Sequence, residues 1–321
     1  MGVFIAWRKL GRRTRDLANE LGFELKFIPY GPPYIKSYLE TVRFIKETKP
    51  DVIIAQLPQG PLLWVLARLR GKFKFKLIAD THTGFLVYDG FKGWLLNAPF
   101  KRYLRVCDLV IVHNEDMLNL LPTEIRGKSL VLYDPMPKPI DNPKRVIDGD
   151  YIVMPASWGP DEPIEYVIKE YLRSRCGLKL VITGNYLRKK HMYERLKDNP
   201  RIVFTGYLST HDYYSVMSFA KLVIAATTRE YTMLSAAWEA ISYEKPLIVS
   251  YTKTLHNILG DAPLYFNPSI TNELSNILNT VEGKLQELRE GITKLKENLQ
   301  KTYREQLSKL KEYLRGTAGP H

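Results

Sequence analysis

Short β-branched runs alternate with amphipathic stretches along most of this chain. In the first half, residues 3–6, 23–28, 51–56, 76–80, 109–113 and 129–134 read as buried strands, with amphipathic helices at 14–21 and 34–48. Apolar strands separated by helices are the pattern of a parallel sheet covered on both faces. A proline-dense passage follows, with Pro135, Pro137, Pro139 and Pro143 among nine residues. Such a passage continues neither a helix nor a central strand and predicts a linker. A second series of strands then occupies 151–156, 178–184, 202–206, 222–226 and 246–250. The expectation is an α/β protein with two Rossmann-like domains in tandem, 1–140 and 141–270, and a cleft between them.

Beyond Pro268 the texture changes. Apolar residues recur at threes and fours from Leu274 through Leu285, Ile292 and Leu299 to Leu314. This predicts one long amphipathic helix over 271–315, or two broken near Gly283 or Gly291. Such a seam suits a homodimeric coiled coil, a membrane-surface helix, or a helix laid across both domains. Residues 316–321 read as a disordered tail.

At 321 residues, with 45% hydrophobic and 25% charged positions, the chain suits two folded domains and not a disordered protein. No apolar run approaches the length of a membrane span, and the apolar start at residues 1–7 is short for a signal peptide. Gly2 does not make a myristoylation site, because Ala6 and Trp7 stand where Ser or Thr is wanted. Cys107 and Cys176 are isolated and read as small buried residues, which fits a reducing, cytoplasmic setting.

Charge is uneven. Residues 1–147 carry 24 Lys and Arg against 14 Asp and Glu, whereas the remainder carries 23 against 20. The basic half is expected to meet an anionic partner, either a membrane surface, a pyrophosphate-linked acceptor or nucleic acid; plain solubility charge is the alternative. Segments 62–76 and 91–105 mix basic and apolar residues, as membrane-interface helices or core-packing helices with basic faces do.

Candidate chemistry lies just after the strands, where helix N-termini offer free N–H groups to phosphates. In the second half these loops contain Ser157, with Asp161 as a helix cap, then Gly184 and Asn185, then Tyr207 and Leu208, which offer a flat edge for a base. Next come Arg229, Glu230 and Thr232, followed by Ser235 and Glu239, four apart and on one helical face. Glu239 suits the ribose hydroxyls, and Arg229 suits a departing diphosphate. In the first half, Gly11, Arg12 and Arg13 form a basic turn suited to an acceptor phosphate. His82, ending a strand, suits sugar contact or proton transfer, or a structural hydrogen bond. His113 reads as structural.

The run 181–268 resembles the donor half of GT-B glycosyltransferases of the large retaining nucleotide-sugar family, glycosyl transferases group 1. The resemblance rests on Ile182-Thr183-Gly184-Asn185, on Val203 to Leu208, and on Arg229-Glu230 through Glu239-Ala240 to Lys245-Pro246. The last resembles the family's paired-glutamate signature, although eight residues and not seven separate the acids. It implies that Glu230 lies near the transferred sugar and that Glu239 binds the ribose. Leu132 to Pro135 and Ala156 to Glu162 are also similar to β-mannosyltransferases that extend chitobiosyl-diphosphodolichol, which implies a lipid-linked acceptor.

The expected function is therefore transfer of a sugar from a nucleotide-diphosphate donor to a lipid-linked or saccharide acceptor at the cytoplasmic membrane face, with peripheral attachment through the basic half. No cofactor, metal or nucleic acid is expected. The one Asp-x-Asp triplet, Asp148-Gly149-Asp150, falls in the linker. The alternatives are a sugar-nucleotide epimerase of the same architecture and a non-enzymatic nucleic-acid binder.

Overall fold

Six strands in each half form two parallel sheets in this computed structural model, which describes residues 1–88 and 90–316. The first sheet contains β1 (Gly2–Trp7), β2 (Glu24–Ile28), β3 (Val52–Gln56), β4 (Lys76–Thr81), β5 (Leu109–Val112) and β6 (Ser129–Val131). The second contains β7 (Tyr151–Met154), β8 (Lys179–Thr183), β9 (Ile202–Gly206), β10 (Leu222–Ala225), β11 (Leu247–Ser250) and β12 (Leu264–Phe266). All but β12 match expected strands. β12, three residues at the edge of its sheet, was not expected.

The central strands β5, β7, β10 and β11 are buried along their whole length. That is why they read as continuous apolar runs and not as alternating ones. The edge strand β2 keeps Glu24 in solvent, an ordinary protection against edge-to-edge pairing.

Strand order is β2-β1-β3-β4-β5-β6 in the first sheet and β12-β11-β10-β7-β8-β9 in the second. The chain reverses direction across each sheet at one place, between β1 and β3 in the first and between β7 and β10 in the second. Loops leaving the carboxyl ends of those strands diverge and leave a crevice there, the usual ligand position in open α/β sheets.

The chain divides into two compact units, Met1–Pro135 with the segment from Thr302 onward, and Met136–Lys301. The expected border at 140/141 therefore moves to 135/136. The proline stretch is tied into the second unit: Ser242 Oγ donates to the Pro137 carbonyl, and the Ile140 N–H donates to Tyr243 Oη at 3.0 Å. The 271–315 segment is likewise no separate domain. It forms a helix Glu273–Thr280, a 3-10 turn Val281–Lys284 at the expected Gly283 break, and a continuous helix Leu285–Gly316 that runs through Gly291. Leu274, Leu278, Val281 and Leu288 join the second unit's core. Leu307 and Leu310 join Phe4, Leu17, Ile54 and Ile111 in the first. The seam is spent on intramolecular packing at these positions. Of the expected tail, only Gly316 is described, as the last helical residue; 317–321 lie outside the described residues.

Segment 62–76 resolves to core packing, since Leu62, Leu63, Val65, Leu66 and Leu69 are buried on the helix Gly60–Leu69. Segment 91–105 differs. In the helix Gly90–Asn97, Phe91, Trp94 and Leu95 are exposed. No helix among the described residues is long and apolar enough to cross a membrane.

Candidate functional site

At the switch point of the second sheet, the loop after β7 folds on itself. Glu162 accepts hydrogen bonds from the backbone N–H groups of Ser157, Trp158 and Gly159 at 3.0, 2.7 and 3.3 Å. A carboxylate thus fills the anion nest that the sequence assigned to a phosphate at Ser157, and those donors are satisfied internally. Asp161 does not cap the following helix, Ile164–Arg173, whose N-cap is Pro163. It bridges to the loop after β10 instead, its carboxylate accepting from Thr227 Oγ1 at 3.1 Å and its carbonyl from the Thr228 N–H at 2.8 Å. The two loops that diverge at the switch point are fixed to one another at their base.

Gly184 follows β8 with φ 83°, and an added Cβ would overlap the Ala156 carbonyl oxygen. The close approach predicted for this glycine is therefore made by protein backbone. Gly184→Ala is expected to destabilise the second unit by roughly 2–3 kcal/mol or more from left-handed strain and collision. Thermal unfolding reads this directly, and a midpoint equal to wild type contradicts it. Asn185 is also engaged, its Oδ1 accepting the Leu187 N–H at 3.2 Å as cap of a 3-10 turn. Beyond β9, Tyr207 is 78% exposed with Leu208 half-buried beside it, an apolar surface free to receive a flat ring.

The loop after β10 leads into the helix Ser235–Ser242. Its N-cap is Leu234, whose side chain makes no capping bond. No cap side chain therefore occupies the helix's leading N–H groups, the arrangement that attracts an anion. Thr232 and Arg229 precede that end, the Arg229 N–H bonded to Thr227 Oγ1 at 3.1 Å, and Ser235 opens the helix in an exposed position. One turn deeper, Glu239 is only 8% exposed, and its carboxylate accepts from the Tyr213 hydroxyl on the helix Thr210–Phe219. Glu239 is thus a positioned, buried acid and not a solvated one. Glu230 is different. Its carboxylate accepts the N–H groups of Lys253 and Thr254 at 3.0 and 3.3 Å and so caps the helix Lys253–Leu259.

In the first sheet, Gln56 at the end of β3 closes the switch point. Its Oε1 accepts the Gly11 N–H at 3.2 Å and Thr14 Oγ1 at 2.6 Å, and its amide donates to the Lys9 carbonyl at 2.9 Å. The basic turn is much less available than the sequence suggested. Arg13 is buried, with salt bridges to Asp80 at 3.0 Å and Asp134 at 2.8 Å, and it also donates to the Leu132 and Tyr133 carbonyls. It cannot also bind an acceptor phosphate. Arg12 reaches Asp16 at 3.2 Å and the Pro135 carbonyl at 2.7 Å, which anchors the helix Arg12–Leu21.

His82 stands beside this turn, its Cε1 close to where a Gly11 side chain would begin. Its Nε2 lies 3.5 Å from Asp80 Oδ2, and its ring meets His113 edge-on with centroids 4.5 Å apart. Burial works to raise the pKa of Asp80, but the Arg13 guanidinium outweighs it and holds the carboxyl well below its usual range. Burial, reinforced by Arg13, pushes His113 down to about 3, so its ring is neutral. Asp80, His82 and His113 place three ligand-type atoms within 4.8 Å of one another. Both Asp80 oxygens, however, already accept from Arg13. The Asp148-Gly149-Asp150 triplet sits at the amino end of β7, where Asp150 lies 3.6 Å from Lys221.

No family profile matches the sequence, and no curated protein does. Solved structures match over nearly the whole chain. Sucrose-phosphate synthase from Thermosynechococcus elongatus superposes with a TM-score of 0.77 at 14% identity, covering 99% of each chain. HepE from Anabaena in complex with UDP-glucose gives 0.73 at 14% identity, over 97% of this chain and 99% of that one. The lipopolysaccharide outer core galactosyltransferase WaaB gives 0.62 at 13% identity, over 94% and 98%.

The fold is GT-B.

Within the GT-B fold, the residues placed together at the second sheet's switch point are Arg229, Thr232, Ser235 and Glu239, with Tyr207 and Leu208 two strands away beyond β9. Glu230, Ser157 and Asn185 lie near the same carboxyl edge, with the Glu230 carboxylate, the Ser157 N–H and Asn185 Oδ1 each engaged by other parts of the chain. Sequence reasoning missed Glu162, which closes its own loop by accepting three nearby backbone N–H groups, and Tyr213, which holds Glu239, and it missed the buried partnership of Asp80 and Asp134 with Arg13. The spacing of Asp80 and His82 at the end of one strand was the only local hint of the last.

Proposed function

We propose that this protein transfers a sugar from a nucleotide-diphosphate donor, with the diphosphate seated at the uncapped N-terminus of the helix Ser235–Ser242. That open helix end, one turn from a buried carboxylate, is the observation that carries the reading. Helix N–H groups and Arg229 neutralise the diphosphate, Glu239 accepts the ribose hydroxyls, and Tyr207 with Leu208 receives the base. Protein cations and the helix end supply the charge compensation that a departing diphosphate needs. Glu230 leaves the mechanism as a helix cap, and Arg13 leaves acceptor binding as a structural cation.

The first unit presents the acceptor. His82, half-exposed beside Gly11, is the group there able to exchange a proton with an incoming hydroxyl. A lipid-linked acceptor reached at a membrane face fits the helix Gly90–Asn97, where Phe91 is 73% exposed and stacks on Trp94 at 5.7 Å beside Lys92. Phe91→Ser with Trp94→Ser is expected to reduce cosedimentation with phosphatidylglycerol vesicles severalfold. Undiminished cosedimentation removes this helix from membrane contact.

A thermal-shift screen over UDP-, GDP- and ADP-sugars tests the reading. One donor class should raise the midpoint, and Glu239→Ala should abolish the rise. No shift with any donor contradicts it. With the donor known, His82→Ala should lower turnover by about 100-fold or more while leaving the donor shift intact. Unchanged turnover excludes His82 from the chemistry.

A further inference from the structure

The amino-terminal edge of the second sheet, opposite the loops described above, holds a separate cavity. Lys221 stands just before β10 and Pro246 just before β11. With the turn Val281–Lys284 and the start of the helix Leu285–Gly316 they enclose about 520 Å³. The lining carries four cations, Arg145, Lys221, Lys245 and Arg289, against two carboxylates, Glu244 and Glu282.

Both carboxylates already have partners. Lys296 donates to Glu244 at 2.7 Å, and Glu282 accepts the Gly177 N–H at 2.8 Å. The cations are less well compensated. Arg145 lies over the Phe219 ring at 4.9 Å and donates to the Gly149 carbonyl at 2.9 Å, Lys221 is 3.6 Å from Asp150, and Lys245 donates to the Ser218 carbonyl. Arg289 has no carboxylate partner among the described residues. Lys245 is pushed down to about 8, first by burial and then by the charges of Arg289 and Lys221. The surplus positive charge is thus felt inside the cavity, and a bound anion would relieve it.

We propose that this cavity binds a phosphate-bearing ligand, at a site distinct from the β7/β10 edge and independent of the sugar-transfer reading. Two guanidinium groups and two ammonium groups around a hollow of this size suit a phosphate monoester or pyrophosphate with a small organic substituent. The same chemistry is offered by a free phosphorylated metabolite and by the monoester headgroup of phosphatidic acid.

The test is local to the site. Lys221 and Lys245 in the full chain are acylated with an N-hydroxysuccinimide ester, and their modification rates are followed by mass spectrometry. Inorganic pyrophosphate is expected to slow both rates saturably, and Arg289→Glu should weaken that protection by about tenfold or more. Arg289 is exposed, so the substitution leaves the fold in place, and Arg289→Gln should weaken protection less. Protection by phosphatidic acid vesicles, with neither pyrophosphate nor phosphatidylcholine vesicles protecting, assigns the phosphate to a lipid headgroup. Protection by pyrophosphate assigns it to a free ligand. Absence of protection in both arms, or equal protection in Arg289→Glu, overturns the proposal. Donor binding at the other edge leaves these two lysines untouched, so failure here is distinguishable from failure of the sugar-transfer reading.

Discussion

Arg13→Ala is expected to destabilise the first unit by roughly 3–5 kcal/mol, the range found when one partner of a buried ion pair is removed. Its guanidinium bridges Asp80 and Asp134, and it also satisfies two backbone carbonyls. Without it, two buried carboxylates face each other at neutral pH. Arg12→Ala is the comparison, because a partly exposed pair with Asp16 and one hydrogen bond to the Pro135 carbonyl should together be worth only about 1–2 kcal/mol. Denaturant unfolding, with hydrogen exchange at β1 and β4 to localise the loss, checks both. A penalty for Arg13→Ala below about 1 kcal/mol contradicts the account.

The same cluster sets an acid response. His113 is held neutral in the folded state down to about 3, whereas an unfolded histidine takes up a proton below about 6.5. The unfolded state therefore binds more protons between those values, and stability falls as the pH drops through that window. Asp80 and Asp134 are depressed in the folded state. Their contribution is complete above about 3.9 and is lost below it, as pH falls toward their folded values. In Arg13→Ala the carboxylates accept protons more readily, so its deficit relative to wild type should shrink on mild acidification.

Glu239→Gln is the functional counterpart. It preserves the shape of a buried side chain and removes the charge on which the ribose contact depends. Hydrogen bonds to a charged acceptor contribute roughly 1.5–3 kcal/mol, or about 10- to 150-fold in donor affinity. A ribose contact is the same in ground and transition states, so KM should rise while kcat holds. Tyr213→Phe releases one hydrogen bond to the carboxylate and should have the smaller effect. Donor affinity unchanged by Glu239→Gln removes the ribose role.

The architecture was legible because strands buried on both faces, β5, β7 and β10 above all, are apolar throughout. Element ends were less so: β4 and β1 run a residue past expectation and β6 stops early. The border between the units was misplaced because prolines mark an irregular chain but not the side to which that chain is bonded. At the site, Glu239 was readable as an acid on an otherwise apolar helix face. Glu230, Ser157 and Arg13 misled for a common reason. Each stands at the right end of a strand, and each has a group engaged by a partner that the motif does not reveal: Lys253 and Thr254 for Glu230, Asp80 and Asp134 for Arg13, and Glu162 for the Ser157 N–H. Glu162 shows this most clearly, since five residues after Ser157 it fills the nest that a phosphate was expected to fill.

Hydrogen–deuterium exchange across the whole chain, with and without the nucleotide-sugar selected by thermal shift, tests the central claim most directly. Donor binding should slow exchange at the amides opening the helix Ser235–Ser242, with a second protected stretch around Tyr207. Protection confined to other segments, with the 234–238 amides unchanged, contradicts it.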